Sequence, residues 1–264
     1  MTIVKRHMKH QLWWQVRLLS WNWPLWLNFY PFILKHFNQR LYKNLAKEST
    51  QLIIEGFPRS ANTFLVHATE QASSLPIQIA HHLHDPIQAK IGLEHKIPTV
   101  IILRDPLSSF ISFKLKSPHL PVSVMYKIYM SFHHQVNKIH NENIHFVRYE
   151  DVTQKPNDVV QWILEELLKH RKDQINMVHE DDIFSSIDKK KKARESANPD
   201  LNAYYQSSVA RPTEEKEAQK EKIRATILDN FSTECEKATV NYEKLLNRCV
   251  SFSNKSNNST VKPT

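Results

Sequence analysis

The string G-F-P-R-S-A-N-T, Gly56 to Thr63, has the side chains of an anion site. It lies between L-I-I-E-G (52–56), which reads as a short buried strand, and an apolar-periodic stretch through Leu65, Val66, Ala68 and Ala72, which reads as a helix. A turn from strand to helix aims several backbone N–H groups and the positive helix end at one spot. Arg59 adds a permanent charge on a planar fork that matches phosphate or sulfate oxygens. Ser60, Asn62 and Thr63 add short donors, and Ala61 between them adds no bulk. An ordinary strand-to-helix loop with an Asn or Thr cap has the same appearance, so both readings stand at this point.

A second string, L-R-D-P-L-S-S-F-I-S-F (103–113), repeats the arrangement. Arg104 ends a strand, and Ser112 falls about two turns along the helix that follows. One guanidinium and one hydroxyl on neighbouring elements can clamp a second phosphate. The plainer alternative is a surface ion pair of Arg104 with Asp105.

The elements that must position these residues alternate. Strands are expected at 52–56, 76–80, 98–104 and 144–149, the third being continuous and β-branched, as a strand buried on both faces requires. Helices are expected at 106–116, 121–140 and from Pro156 to about Lys169. The pattern predicts an α/β domain with a central parallel sheet flanked by helices, its ligands beyond the carboxyl ends of the strands. Residues 181–211, with the run K-K-K-K-A-R (189–194), read as a polar loop. From Pro212 to Arg248 the chain reads as helical, with a buried stripe of Ile223, Ile227, Leu228, Phe231, Cys235, Ala238, Tyr242, Leu245 and Leu246. The divisions predicted are a helical aromatic-rich segment over 1–50, the domain over 51–250 and a disordered tail over 251–264.

Composition excludes several classes. The chain has 264 residues, a formal charge of +9 and only two glycines, Gly56 and Gly92. Neither a dinucleotide-binding G-x-G-x-x-G nor a complete Walker A sequence can be written with them. Two cysteines, Cys235 and Cys249, are too few for a disulfide framework. The histidines show no metal-ligand spacing, so no metal is expected. The net positive charge favours an anionic partner. Basic residues are not interleaved with aromatics as a stacking surface would need, so nucleic acid is not the expected partner.

The stretch from Leu12 to Leu34 is rich in Trp, Leu and Phe, but Gln15, Arg17, Asn22, Pro24 and Asn28 interrupt it. No 18-residue apolar run results, so a spanning helix is not expected. No signal-peptide cleavage pattern follows it, so a cytoplasmic location is expected. Two readings remain: helices packed on the domain core, or an amphipathic stretch making a peripheral membrane contact.

The two polar strings, in this order and at this separation, resemble those of sulfotransferases that use 3′-phosphoadenosine 5′-phosphosulfate (PAPS). G-F-P-R-S-A-N-T-F is similar to the family's 5′-phosphosulfate loop, P-[KR]-S-G-[TN]-T, and L-R-D-P-L-S-S-F-I-S-F to its 3′-phosphate motif, R-[DN]-x-x-D-x-x-x-S. V-R-Y-E-D-V with Pro156 is similar to the segment Y-E-D-L-x-x-x-P, and A-R-P-T-E-E-K (210–216) to a pattern of bacterial members. The match covers about residues 51–170, with a weaker echo to about 246. It implies a three-layer P-loop-like fold and transfer of a sulfuryl group from PAPS, as metal-free co-substrate, to a hydroxyl or amine of an acceptor such as a glycan or lipid. It also implies that Arg59 contacts the transferred group, that Ser60, Ala61, Asn62 and Thr63 complete the loop, and that Arg104 and Ser112 bind the 3′-phosphate. A-H-H-L (80–83) stands where the family has K-T-H-L, which makes His82 the implied general base, with His81 and His84 as rivals.

Departures are also visible. Ala61 stands where the family loop has Gly, so its backbone is expected to avoid conformations that only Gly tolerates. Ala80 replaces a Lys, Ser108 replaces the second Asp, and the C-terminal R-K-G is missing; the run 189–194 reads as a solvated charge run, with a substitute for R-K-G as the alternative. The competing enzymatic reading is a P-loop kinase or another nucleotide-dependent enzyme, which wants a Gly-Lys-Ser/Thr and an acid for magnesium.

Overall fold

The computed structural model describes residues 3–21, 26–197 and 214–252. Its centre is a four-stranded, all-parallel sheet in the order β2-β1-β3-β4. The strands are β1 (Leu52–Gly56), β2 (Ile79–His81), β3 (Thr99–Leu103) and β4 (Ile144–Arg148). Every residue of β1 and β3 is buried, because helices cover both faces. Side chains alternate as a pleat dictates. Ile53, Ile101, Leu103 and Phe146 enter one core, while Leu52, Ile54, Val100, Ile102 and Val147 enter the other.

The second core is closed by α4 (Asn62–Ala72), α8 (Tyr149–Gln154), α9 (Pro156–Trp162) with a π-helical turn at Ile163–Leu167, and α10 (Glu180–Ala197). The first is closed by α1 (Ile3–Ser20), α2 (Trp26–Phe37), α3 (Gln39–Lys43), α5 (Ile87–Glu94), α6 (Pro106–Lys116), α7 (Val122–Asn137) and a long C-terminal helix, α11 (Glu214–Leu246). Past α11, the Val250 amide donates to Phe146 O at 2.9 Å, which covers the free edge of β4.

Two expectations need correction. Residues 181–197 are not a loop: α10 runs through them, including Lys189 to Arg194. Glu180, Asp181 and Asp182 suit the positive end of a helix, and Ile183, Phe184 and Ile187 give it an apolar face against α4. Phe184 meets Phe64 with ring centroids 5.6 Å apart. Lys190 lies on the outside and pairs with Glu70 at 2.8 Å. The other correction is Leu228, which is 42% exposed. The buried stripe steps from Ile223 to Ile227 to a kink at Phe231, leaving Leu228 one position off it. The parts of the polar loop at 198–211, the A-R-P-T residues 210–213 and the tail from 253 lie outside the described residues.

The N-terminal helices share the domain's core. Trp14, Trp21, Tyr30 and Leu34 are buried in the same cluster as Phe57, Phe110 and Tyr129. Arg17, 2% exposed, goes in with them. Its Nη2 donates to Leu83 O at 2.7 Å, to His84 O at 2.8 Å and to Asp85 Oδ2 at 2.9 Å, and the Trp14 ring lies 4.4 Å from its guanidinium carbon. Among the described residues no helix is long and apolar enough to cross a membrane.

A buried charge stripped of its partner is strongly destabilising. Arg17→Ala is therefore expected to cost about 3–5 kcal/mol in urea denaturation. A loss below about 1 kcal/mol would mean that Arg17 does not fasten α1 to the loop after β2.

Candidate functional site

The sheet order puts β2 on one side of β1 and β3 on the other, so the chain changes direction between β1 and β3. Crevices form beyond the strand ends at such switch points. Both polar strings begin there. Gly56 ends β1 against Ile102 of β3, and a Cβ on it would sit 2.7 Å from Ile102 O and 3.1 Å from Asn62 Oδ1. Only glycine fits that approach.

From Gly56 the chain turns back into α4. The Ser60 amide donates to Phe57 O at 3.2 Å, and Phe57 anchors the turn in an aromatic cluster with Phe110, Phe113 and Tyr129. Arg59 has φ 75° and Ala61 has φ 61°. Ala61 thus adopts the left-handed conformation it was expected to avoid. The cause is the short reversal from β1 into α4, in which positive-φ residues at alternate positions curl the turn, as they do in backbone nests. Ala61 occupies the N-cap of α4, and no side chain caps that helix. The alternative of a loop capped by Asn62 or Thr63 is not realised.

Arg59 and Arg104 come together. Arg104 Nη1 donates to Arg59 O, and Arg59 Nε donates to Ser112 Oγ at 3.2 Å. The two strings therefore form one site, with Ser112 facing it from α6. Asp105 does not neutralise Arg104: its carboxylate caps α6 by accepting from the Ser108 amide at 2.7 Å. Arg104 lies over the Tyr149 ring at 4.2 Å, and its carbonyl accepts from the Tyr129 hydroxyl at 2.9 Å.

The histidines arrive from the loop after β2. His82 Nε2 lies 2.6 Å from Thr63 Oγ1, while its Nδ1 meets His81 Nδ1. His84 turns the other way: its Nδ1 donates to Gly56 O at 2.8 Å. His82 and His84 both have positive φ, 64° and 53°. Of the six non-glycine residues with positive φ among the described ones, Arg59, Ala61, His82 and His84 lie in this site. Such strain gathers where surrounding contacts over-determine the backbone, as functional sites do.

Below the loop sits Glu55, fully buried in β1. Its carboxyl accepts from the Leu83 amide at 2.7 Å and the His84 amide at 2.9 Å. Burial pushes it from its ordinary 4.5 up to about 8, against the pull of those two bonds. Burial likewise holds His84 down at about 4, aided by the Arg17 and Arg59 charges. His84 is thus neutral at pH 7 with its Nδ1 proton committed to Gly56. Sequence reasoning missed Glu55, Arg17, Asp85 and Tyr149. The one available signal was an acid inside the apolar run L-I-I-E-G.

Four buried polar atoms in and beside this cluster have no hydrogen-bond partner: Ser60 Oγ, Asn62 Oδ1, Arg104 Nε and Ser109 Oγ. Leaving each unpaired costs about 1–3 kcal/mol, so each calls for an explanation. Among the described residues no three His, Cys, Asp or Glu gather as a metal site.

Two predictions follow from strain and burial. Ala61→Gly relieves a left-handed alanine and is expected to stabilise the fold by about 0.5–1 kcal/mol in urea denaturation; a loss of stability would mean that the turn does not need this conformation. The second concerns pH. Between 4.5 and about 8 the folded chain keeps a proton on Glu55 that the unfolded chain has lost, so this group's stability contribution falls as pH rises. Between 6.5 and about 4 the unfolded chain protonates two histidines, His84 and His133, that the fold keeps neutral, so stability falls as pH drops. Stability should peak near about pH 6.5, and Glu55→Gln should flatten the alkaline limb. A curve rising steadily to pH 9 would refute the Glu55 assignment. No family model and no curated protein matches the chain, which leaves the site's own geometry as the guide to its chemistry.

Proposed function

We propose that the chain is a sulfotransferase and that the crevice beyond β1 and β3 binds an adenosine nucleotide with anionic groups at both its 5′ and 3′ positions. The observation that carries this is the bond from Arg104, just past β3, to the carbonyl of Arg59 in the turn after β1, with unpartnered buried polar atoms on Ser60 and Asn62 of that turn and on Arg104 itself. The turn at 56–63 fits a 5′-phosphosulfate: it offers gathered N–H groups, the uncapped start of α4 and the Arg59 fork. Arg104 and Ser112 fit a second phosphate, with Tyr149 holding the Arg104 guanidinium in place. PAPS, when bound, supplies the sulfuryl group and a stable leaving phosphate.

The chain's own work is to position and neutralise. With the donor in the turn, Arg59 would neutralise the charge that develops on the oxygen between sulfur and the 5′-phosphate as that bond breaks. A neutral imidazole can take the proton that the acceptor hydroxyl gives up as its oxygen bonds to sulfur. His82 is the best placed of the three histidines, because it touches Thr63 of the turn, whereas His84 is fastened to Gly56 O and Glu55. Nothing in the turn supplies the Lys of a kinase loop, and Asp105 is committed to capping α6.

The test is calorimetry with adenosine 3′,5′-bisphosphate in EDTA, with ATP and magnesium as the control. Metal-free binding of the bisphosphate is expected, weakened in Arg104→Ala by about 1.5–3 kcal/mol, roughly 10- to 150-fold. Preference for magnesium-ATP, or an affinity untouched by Arg104→Ala, would sink this reading.

A further inference from the structure

Helix α1 carries a face that the domain does not use. Its inner side goes into the core through Trp14 and Arg17. Its outer side presents Met8, Leu12, Val16 and Leu19, with exposures of 66%, 60%, 42% and 80%. The spacing of four, four and three keeps these residues in one stripe along the helix, flanked by the polar Gln11 and Gln15. On α2, Phe29 and Phe32, one turn apart, are also exposed at 48% and 60%. Large apolar side chains set in a row at the surface differ from the scattered exposure that any protein shows.

The charge pattern says what covers them. Residues 1 to 47 contain eight Lys or Arg (Lys5, Arg6, Lys9, Arg17, Lys35, Arg40, Lys43, Lys47) and no Asp or Glu; the first acid is Glu48. Arg17 is neutralised by Asp85, but Lys35, Lys43 and Lys47 are exposed. Lys5, Arg6 and Lys9 fall in the first turns of α1. A protein partner selected by shape and apolar contact alone needs no such purge of acids. A surface of anionic lipid headgroups does, since every carboxylate near it is repelled and each Lys or Arg is attracted.

We infer that the outer face of α1 docks on an anionic lipid bilayer, its apolar stripe entering the headgroup boundary and the cations of residues 1–47 other than the buried Arg17 meeting the headgroups. This is peripheral binding: the helix keeps its inner face on the domain. It does not depend on the nucleotide reading, because no residue of the stripe belongs to the crevice.

The experiment is co-sedimentation of the full chain with vesicles of phosphatidylcholine alone and of phosphatidylcholine with one third phosphatidylserine. The chain is expected to sediment with the anionic vesicles, less so as salt rises, and to leave the neutral ones largely in solution. Leu12→Glu with Leu19→Glu should lower partition at least about tenfold while bisphosphate affinity and the circular dichroism spectrum stay unchanged. Leu12→Ser with Leu19→Ser, milder at these exposed positions, should lower it in the same direction. No sedimentation with either vesicle, or equal partition of wild type and both variants, overturns the inference. So does a concentration-dependent dimer that the Glu substitutions abolish, which would give the stripe to a second copy of the chain.

Discussion

The guanidinium of Arg17 is the tie on which the arrangement of the crevice depends. It comes from the first helix, crosses into the core and holds two successive carbonyls, Leu83 and His84, together with the Asp85 carboxylate. From the other side Glu55 takes the amides of Leu83 and His84. The histidine loop is thus gripped on its carbonyls by a cation and on its amides by a carboxyl. Both are buried where an unmade bond is costly. That grip gives His82 and His84 the means to remain in left-handed conformations that neither would adopt alone. The loop then overlies the turn, with His84 on Gly56 O and His82 on Thr63.

Scarcity of glycine gives the site its second character. Tight turns usually place glycine where the backbone must curl; here Arg59 and Ala61 take those conformations with side chains attached. The one glycine in the turn, Gly56, is kept for a different reason, the close approach of β1 to the Ile102 carbonyl. The strain in the turn is sustained by Phe57, whose ring is locked among Phe110, Phe113 and Tyr129, and by Arg104, which holds the Arg59 carbonyl. Tyr129 serves both ends, since its hydroxyl also donates to the Arg104 carbonyl. The cation at the end of β3 is therefore as much a structural brace for the turn as a charge beside it.

What could be read from the sequence was whatever the chain states locally. The strands at 52–56 and 99–103 were plain because burial on both faces demands unbroken apolar runs, and the helices after them because their periodicity is strong. That Arg59, Arg104, Ser112 and the histidines converge follows from their places just after strands of a parallel sheet. Helix α10 was hidden because its polar composition masks three apolar positions that only α4 makes meaningful. Arg17 and Asp85 are 68 residues apart, and no local pattern pairs them. Ala61 was misjudged by propensity, a weak preference that the geometry of a five-residue reversal overrides.

Helix α1 joins the two halves of this picture. Its inner face determines where the histidine loop lies, through Arg17; its outer face carries the apolar stripe. A rigid helix cannot shift one face without the other, so whatever holds the stripe also bears on Leu83, His84 and Asp85. On the proposed readings, a bilayer under α1 and a donor in the crevice would therefore be coupled through one side chain. The coupling has a definite sign: a contact that favours the seated position of α1 favours the loop geometry in which His82 meets Thr63. An acceptor drawn from the bilayer surface would then reach a crevice already set, whereas a chain with α1 displaced would lose the Arg17 bonds that position the loop. The Arg17 bonds make the N-terminal segment part of the site's support, and they account for an arginine, with its costly burial, at the place where α1 meets the domain.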